Sequence, residues 1–156
     1  MLIVRRTVIL LTLCGAGFTI YYSIVFARAD SLFRRNTMAS VKSAVLLVPG
    51  NADYHALLAE YIEEAGLNPD EELAAATEIS PRESRFWIRR AFRAEVEQKF
   101  QDSERFLREA VKVDNGFAPR AALMNYYFRR QDIPQFREAA RAALQTAYSD
   151  RRPIFR

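Results

Sequence analysis

Residues 80–116, SPRESRFWIRRAFRAEVEQKFQDSERFLREAVKVDNG, read as two consecutive helices with a short break between them. Ser80, Pro81 and Glu83 form a start signal: an oxygen to cap free amides, a ring that pre-sets φ, and a glutamate three residues on. The first helix is therefore expected from about Pro81, with Phe86, Trp87, Ala91, Ala94 and Phe100 at roughly helical spacing. Asp102 and Ser103 offer the next cap, and Phe106, Leu107, Ala110 and Val113 line one side of the second helix. Asp114, Asn115 and the φ-permissive Gly116 close it. Such a hairpin cannot bury its apolar face alone, so neighbouring units must stack on it.

Working outward, turns recur at Pro49, Pro81 and Asn115, 32 and 34 residues apart. With Trp87 early in the first helix, alanines where helices cross, and Ala110 near the end of the second, this unit resembles a tetratricopeptide repeat (TPR). Tyr54, Leu57, Leu58, Tyr61 and Ala76 fill the family's bulky and small positions in the preceding unit, and Leu123, Tyr127, Ala140 and Ala143 do so in the next one. Asn115 replaces the family's closing proline, Pro69 opens a second helix, and the unit before Pro81 is short. The resemblance implies an all-α fold, a TPR-like solenoid of three to four helical hairpins over residues 29–148.

The remaining hairpins carry their own signals. Residues 29–48 read as continuous helix ended by Pro49-Gly50, Gly66 closes the helix before Asn68-Pro69-Glu71, and Asp132, Pro134 and Gln135 open the last helix. Charge is segregated along them. Residues 51–80 carry eight acids and no lysine or arginine, partly because acids favour helix N-termini. Residues 117–156 carry eight basic groups against three acids, ending in a basic tail over 149–156.

Before this fold lies Thr7–Ala27, TVILLTLCGAGFTIYYSIVFA, with no charge across its length. At 1.5 Å per residue it spans about 31 Å, the thickness of a hydrocarbon core. Residues 1–28 are read as a single-pass transmembrane anchor. A signal peptide cleaved around Ala27-Arg28-Ala29 is the competing reading, but the apolar run exceeds a usual h-region. A lipobox ending at Cys14 is disfavoured by Leu13, and a buried soluble helix would need a polar face. Cys14 is the only cysteine, so no internal disulfide exists. The basic residues flanking the span number two before and four after it, while the short basic head resembles a bacterial signal anchor that exports the downstream chain to the periplasm. Gly15, Thr19 and Ser23 put small side chains on one face, suited to close helix packing in lipid. Counted back from Pro49, the first repeat overlaps the end of this helix, which leaves little linker between bilayer and solenoid.

No catalytic constellation is present. His55 is the sole histidine and has no second nitrogen or sulfur ligand near it, Glu63 and Glu64 point about 100° apart on a helix, and the glycines are scattered singly. No metal or cofactor is expected. The net charge of +4 falls to +2 over residues 28–156, which argues against nucleic acid. What the TPR resemblance implies instead is a groove lined by the first helices of successive hairpins: His55, Ala59 and Ile62, then Arg85, Ile88, Arg89 and Phe92, then Ala121, Asn125 and Phe128. Arg85 and Arg89, four residues apart, would grip a carboxylate, Asn125 would add a hydrogen bond, and Phe92 a hydrophobic shelf. A pairing of these arginines with Glu95 is the plainer alternative. The expected function is a membrane-anchored scaffold or adaptor that docks a protein partner at the bilayer. The alternative is a non-catalytic accessory subunit of a larger membrane complex, packed in part against a membrane protein.

Overall fold

The computed structural model describes residues 2–150, and side chains over 11–146. The described residues are all-helical and form two compact units, 2–67 and 68–150. The first holds α1 (Leu2–Arg34), α2 (Met38–Leu47) and α3 (Ala52–Glu64); the second holds α4 (Asp70–Ile79), α5 (Ser84–Val96), α6 (Phe100–Val113), α7 (Phe117–Arg129) and α8 (Ile133–Asp150).

In the first unit α1 runs unbroken for 33 residues, about 50 Å. Its stretch Leu11–Arg34 is long and apolar enough to cross a membrane. The hydroxyls on it turn inward: Thr19 donates to the Ala16 carbonyl at 2.9 Å and Ser23 to that of Thr19 at 2.8 Å, so neither needs water. Its C-terminal end is already part of the fold. Ala29 is fully buried in one cluster with Ala44 and Tyr54, and Leu32, Phe33, Val45 and Val48 pack around them. The Phe33 and Tyr54 rings stack at 4.8 Å.

The expectation of one continuous helix from Ala29 to Val48 is corrected here. Asn36 takes a left-handed φ of 53°, and Thr37 caps α2 through a box with Ser40. The same reversal recurs after α3, α5 and α7. Gly66, Gln98 and Gln131 have φ of 74°, 61° and 57°. At each, the next amide bonds back to the helix, from Leu67 to the Ile62 carbonyl, Lys99 to Ala94 and Asp132 to Tyr127. These are Schellman closures, and glycine stands at only one of the three.

In the second unit sequence neighbours pack in turn, α4 on α5 through to α7 on α8, and α5 also touches α7. Its core joins Ala91 and Ala94 of α5, Phe106 and Leu107 of α6, and Ala122, Tyr126 and Tyr127 of α7, with Trp87 and Phe136 against them. The tyrosines bury their rings and keep a polar handle: Tyr126 donates to the Phe100 carbonyl at 2.9 Å and Tyr127 to Glu104 at 2.8 Å. Three further sequence expectations give way. The Ser80 amide closes α4 on the Ala76 carbonyl, Pro81-Arg82 make a turn whose carbonyl at Pro81 is taken by the Trp87 indole at 2.8 Å, and α5 starts only at Ser84. The Schellman closure over Ala94–Lys99 delivers the chain directly into α6 at Phe100, so Asp102 and Ser103 lie inside the helix and Ser103 is buried. Gly116 keeps a negative φ of −72°, so its left-handed freedom is not used, and its amide donates to Asp114 Oδ1 at 2.8 Å. The Asp132 cap forms as expected, on the amide of Gln135, whereas Asn68, just outside α4, accepts from the Asp70 amide and the N-cap position is taken by Pro69.

These contacts have two measurable consequences. Replacing Gln98 with glycine removes the strain of a left-handed L-residue and should stabilise the chain by about 1 kcal/mol in urea unfolding. Burial pushes the Glu104 carboxyl up, but the bonds from Tyr127 and Arg108 outweigh it and hold it below the ordinary carboxylate range. That stability is present above about pH 4.3 and is lost as pH falls through the lower folded value. Tyr127→Phe should therefore lose less stability than wild type between about pH 7 and about pH 3, measured by urea midpoints.

Candidate partner-binding face

The outward side of α5 carries Arg85, Arg89, Phe92 and Val96, spaced so that all four share one face. Phe92 is 45% and Val96 71% exposed, although both are apolar. Arg85 is exposed, lies 4.5 Å over the Phe86 ring and places Nε 3.5 Å from Glu83. Arg89 is half-buried, and burial holds its guanidinium below the ordinary arginine value. On α7, Ala121, Asn125 and Phe128 share a face in the same way, with Asn125 exposed and Phe128 62% exposed. Phe128 also meets the Phe136 ring of α8 at 5.5 Å.

A bidentate bridge ties these two helices together. Arg129 of α7 donates to Glu95 of α5 at 2.8 and 2.6 Å. Helical periodicity puts Glu95 and Arg129 on the flanks of the two exposed strips. Glu95 is thus drawn to the neighbouring repeat, where the sequence had offered it as a partner for Arg85 or Arg89. Val96 and the Glu95–Arg129 bridge are the features sequence reasoning missed. The first was legible as the next i+4 step after Phe92; the second depends on the stacking of separate hairpins.

His55 departs from expectation. It lies in the first unit, on α3, buried, with Nε2 2.9 Å from the Pro49 carbonyl. Its ring therefore serves the turn between α2 and α3, and Ala59 one turn later is fully buried. Of the other groove residues, Arg85, Arg89, Phe92 and Asn125 fall on α5 and α7, two contacting helices of the second unit, while Ile88 packs against the core instead.

Elsewhere in this unit a cleft of about 180 Å³ is lined by Asp70, Arg90, Glu97, Lys99, Asp102 and Arg105. Its charges compensate each other: Glu97 meets Arg93 and Lys99 at 2.7 Å each, and Asp70 lies within 4 Å of both cations. The hydrogen bond from Lys99, then that from Arg93, holds the Glu97 carboxyl below its ordinary range. Among the described residues no group of three histidine, cysteine or acidic side chains is placed to hold a metal.

Solved structures share the fold. The MamA RS-1 ArsTM double mutant aligns over 83% of this chain and 74% of its own, with a TM-score of 0.62 and 14% identity. A thermophilic TPR protein of Thermus thermophilus aligns over 81% and 74%, at 0.61 and 16%. The fold is TPR-like. MamA 41-end from Desulfovibrio magneticus RS-1 agrees, covering 83% and 73% at a TM-score of 0.57 and 13% identity. No family model matches the sequence, and no curated protein does.

Proposed function

We propose that this chain is a single-pass membrane protein whose TPR-like fold docks a protein partner at the bilayer surface and has no catalytic centre of its own. The observation that carries the proposal is the face on α5 and α7, where Phe92, Val96 and Phe128 stay exposed beside Arg85, Arg89 and Asn125. Apolar side chains left outside a well-filled core, flanked by arginine, suit a peptide that brings both a hydrophobic and an acidic group. Residues 1–28 are the anchor, 29–148 the repeat fold, and 149–156 a basic tail whose part from Arg151 on lies outside the described residues. The anchor is uncleaved and of the bacterial inner-membrane type, with the folded part exported to the periplasm.

A second reading draws on the anchor. Gly15 has open space around it, and Thr19 and Ser23 spend their hydroxyls on their own helix, so this face of α1 is small and self-satisfied. Such a face packs closely against another membrane helix, as it would in a fixed accessory subunit.

One experiment separates the two. The full chain is purified in mild detergent with its bound proteins, which mass spectrometry identifies. Arg85→Glu with Arg89→Glu should release the partner while Gly15→Leu with Thr19→Leu retains it. The reverse pattern supports the accessory subunit, and retention in both variants rejects both faces.

A further inference from the structure

The first unit carries an apolar tip whose height along α1 can be read directly. A three-residue turn joins α1 to α2, and the two pack against each other, so they run antiparallel. Ala29 and Ala44 share one buried cluster, which sets the register. From there each step forward on α2 matches one step back on α1, and Leu46, Leu47 and Val48 lie level with Ala27, Phe26 and Val25. Burial agrees with this register: from Leu11 to Arg28 only Val25 is partly covered.

Ala27 is also where the charge-free stretch of α1 ends. The end of α2 and the turn after it therefore stand at the height of the last apolar turn of α1. Chemically they match that height. Residues 43–52, SAVLLVPGNA, carry no charge between Lys42 and Asp53. Leu46 is 76% exposed, Leu47 36%, and Pro49 and Gly50 are exposed beside them. On α1 the exposed Tyr21 and Tyr22 lie a little more than a turn further in, the residue type that favours the boundary between lipid and water. Lys42, one turn back along α2, and Arg28 on α1 are both exposed and stand where headgroup phosphates would be.

We propose that the turn between α2 and α3 is a second membrane contact, with Leu46 and Leu47 inserted into the interfacial layer of the same bilayer that α1 crosses. This rests on reading α1 as a membrane span. Lipid is the occupant because the patch continues the apolar surface of α1 at the same height and bears no charge, and the Asn51 side-chain oxygen in its turn is spent on capping α3. A helix held at one point can tilt and rotate; a second contact on the adjoining hairpin fixes both.

The test uses the full chain in phosphatidylcholine vesicles, with an environment-sensitive fluorophore on one cysteine at a time. The sites are the native Cys14, Leu46→Cys in a Cys14→Ser background, and Glu64→Cys in that background, at the far end of α3. Lipids bearing a nitroxide on the acyl chain should quench the Leu46 label several-fold more than the Glu64 label. Equal, weak quenching at Leu46 and Glu64 with strong quenching at Cys14 overturns the second contact and leaves the span standing. Weak quenching at Cys14 as well overturns the span, and the contact with it.

Discussion

Helices in this protein meet over alanine. Ala29 and Ala44 in the first unit, and Ala91, Ala94, Ala110 and Ala122 in the second, are buried where helices contact one another. A methyl group at a crossing lets two helix axes approach closely, and larger side chains then interlock on either side. Leu107 and Phe106 from α6 and Tyr126 and Tyr127 from α7 fill the space so created in the second unit. The cleft lined by Asp70, Glu97 and Lys99 is occupied by ion pairs that neutralise each other.

The second constraint is the reversal after each first helix. Four residues, Asn36, Gly66, Gln98 and Gln131, turn the chain through the left-handed region, and three of them carry a side chain that strains there. The closures at Gly66, Gln98 and Gln131 return an amide to the helix just ended, which satisfies carbonyls that would otherwise face neighbouring side chains. The repeat is therefore more regular in its backbone than in its residues. At the start of the chain the same architecture is entered from an apolar helix: the last turns of α1 already contribute Ala29, Leu32 and Phe33 to a core.

Most of this fold was legible in the sequence, and the misses have physical reasons. The recurrence of turns, the alanines and Trp87 pointed to stacked hairpins, and the Asp132 cap formed where it was expected. Ser80-Pro81 looked like a helix start, but Trp87 claims the Pro81 carbonyl and the helix begins after it. Asp102 looked like a cap because glutamine is not a usual left-handed residue, so the closure at Gln98 was invisible. Asn36-Thr37 was an available break signal, masked by apolar residues at helical positions on both sides, Leu32 and Phe33 before it and Val41, Ala44 and Val45 after it. Of the groove residues, Arg85, Arg89, Phe92 and Asn125 lie on the expected helices and faces. His55 lies on the expected helix but is buried, since a lone imidazole within reach of a turn carbonyl is better served by that bond than by solvent.

In the proposed arrangement one helix does two jobs, crossing lipid over Thr7–Ala27 and packing as the first helix of the fold over Ala29–Arg34. Hydrogen exchange on the full chain in lipid nanodiscs, read by mass spectrometry over residues 23–35, addresses this directly. Slow exchange running without interruption from Ser23 through Leu32 is the predicted result. Rapid, loop-like exchange between Phe26 and Ser31 would contradict it, because the span and the fold would then be separate bodies on a flexible joint.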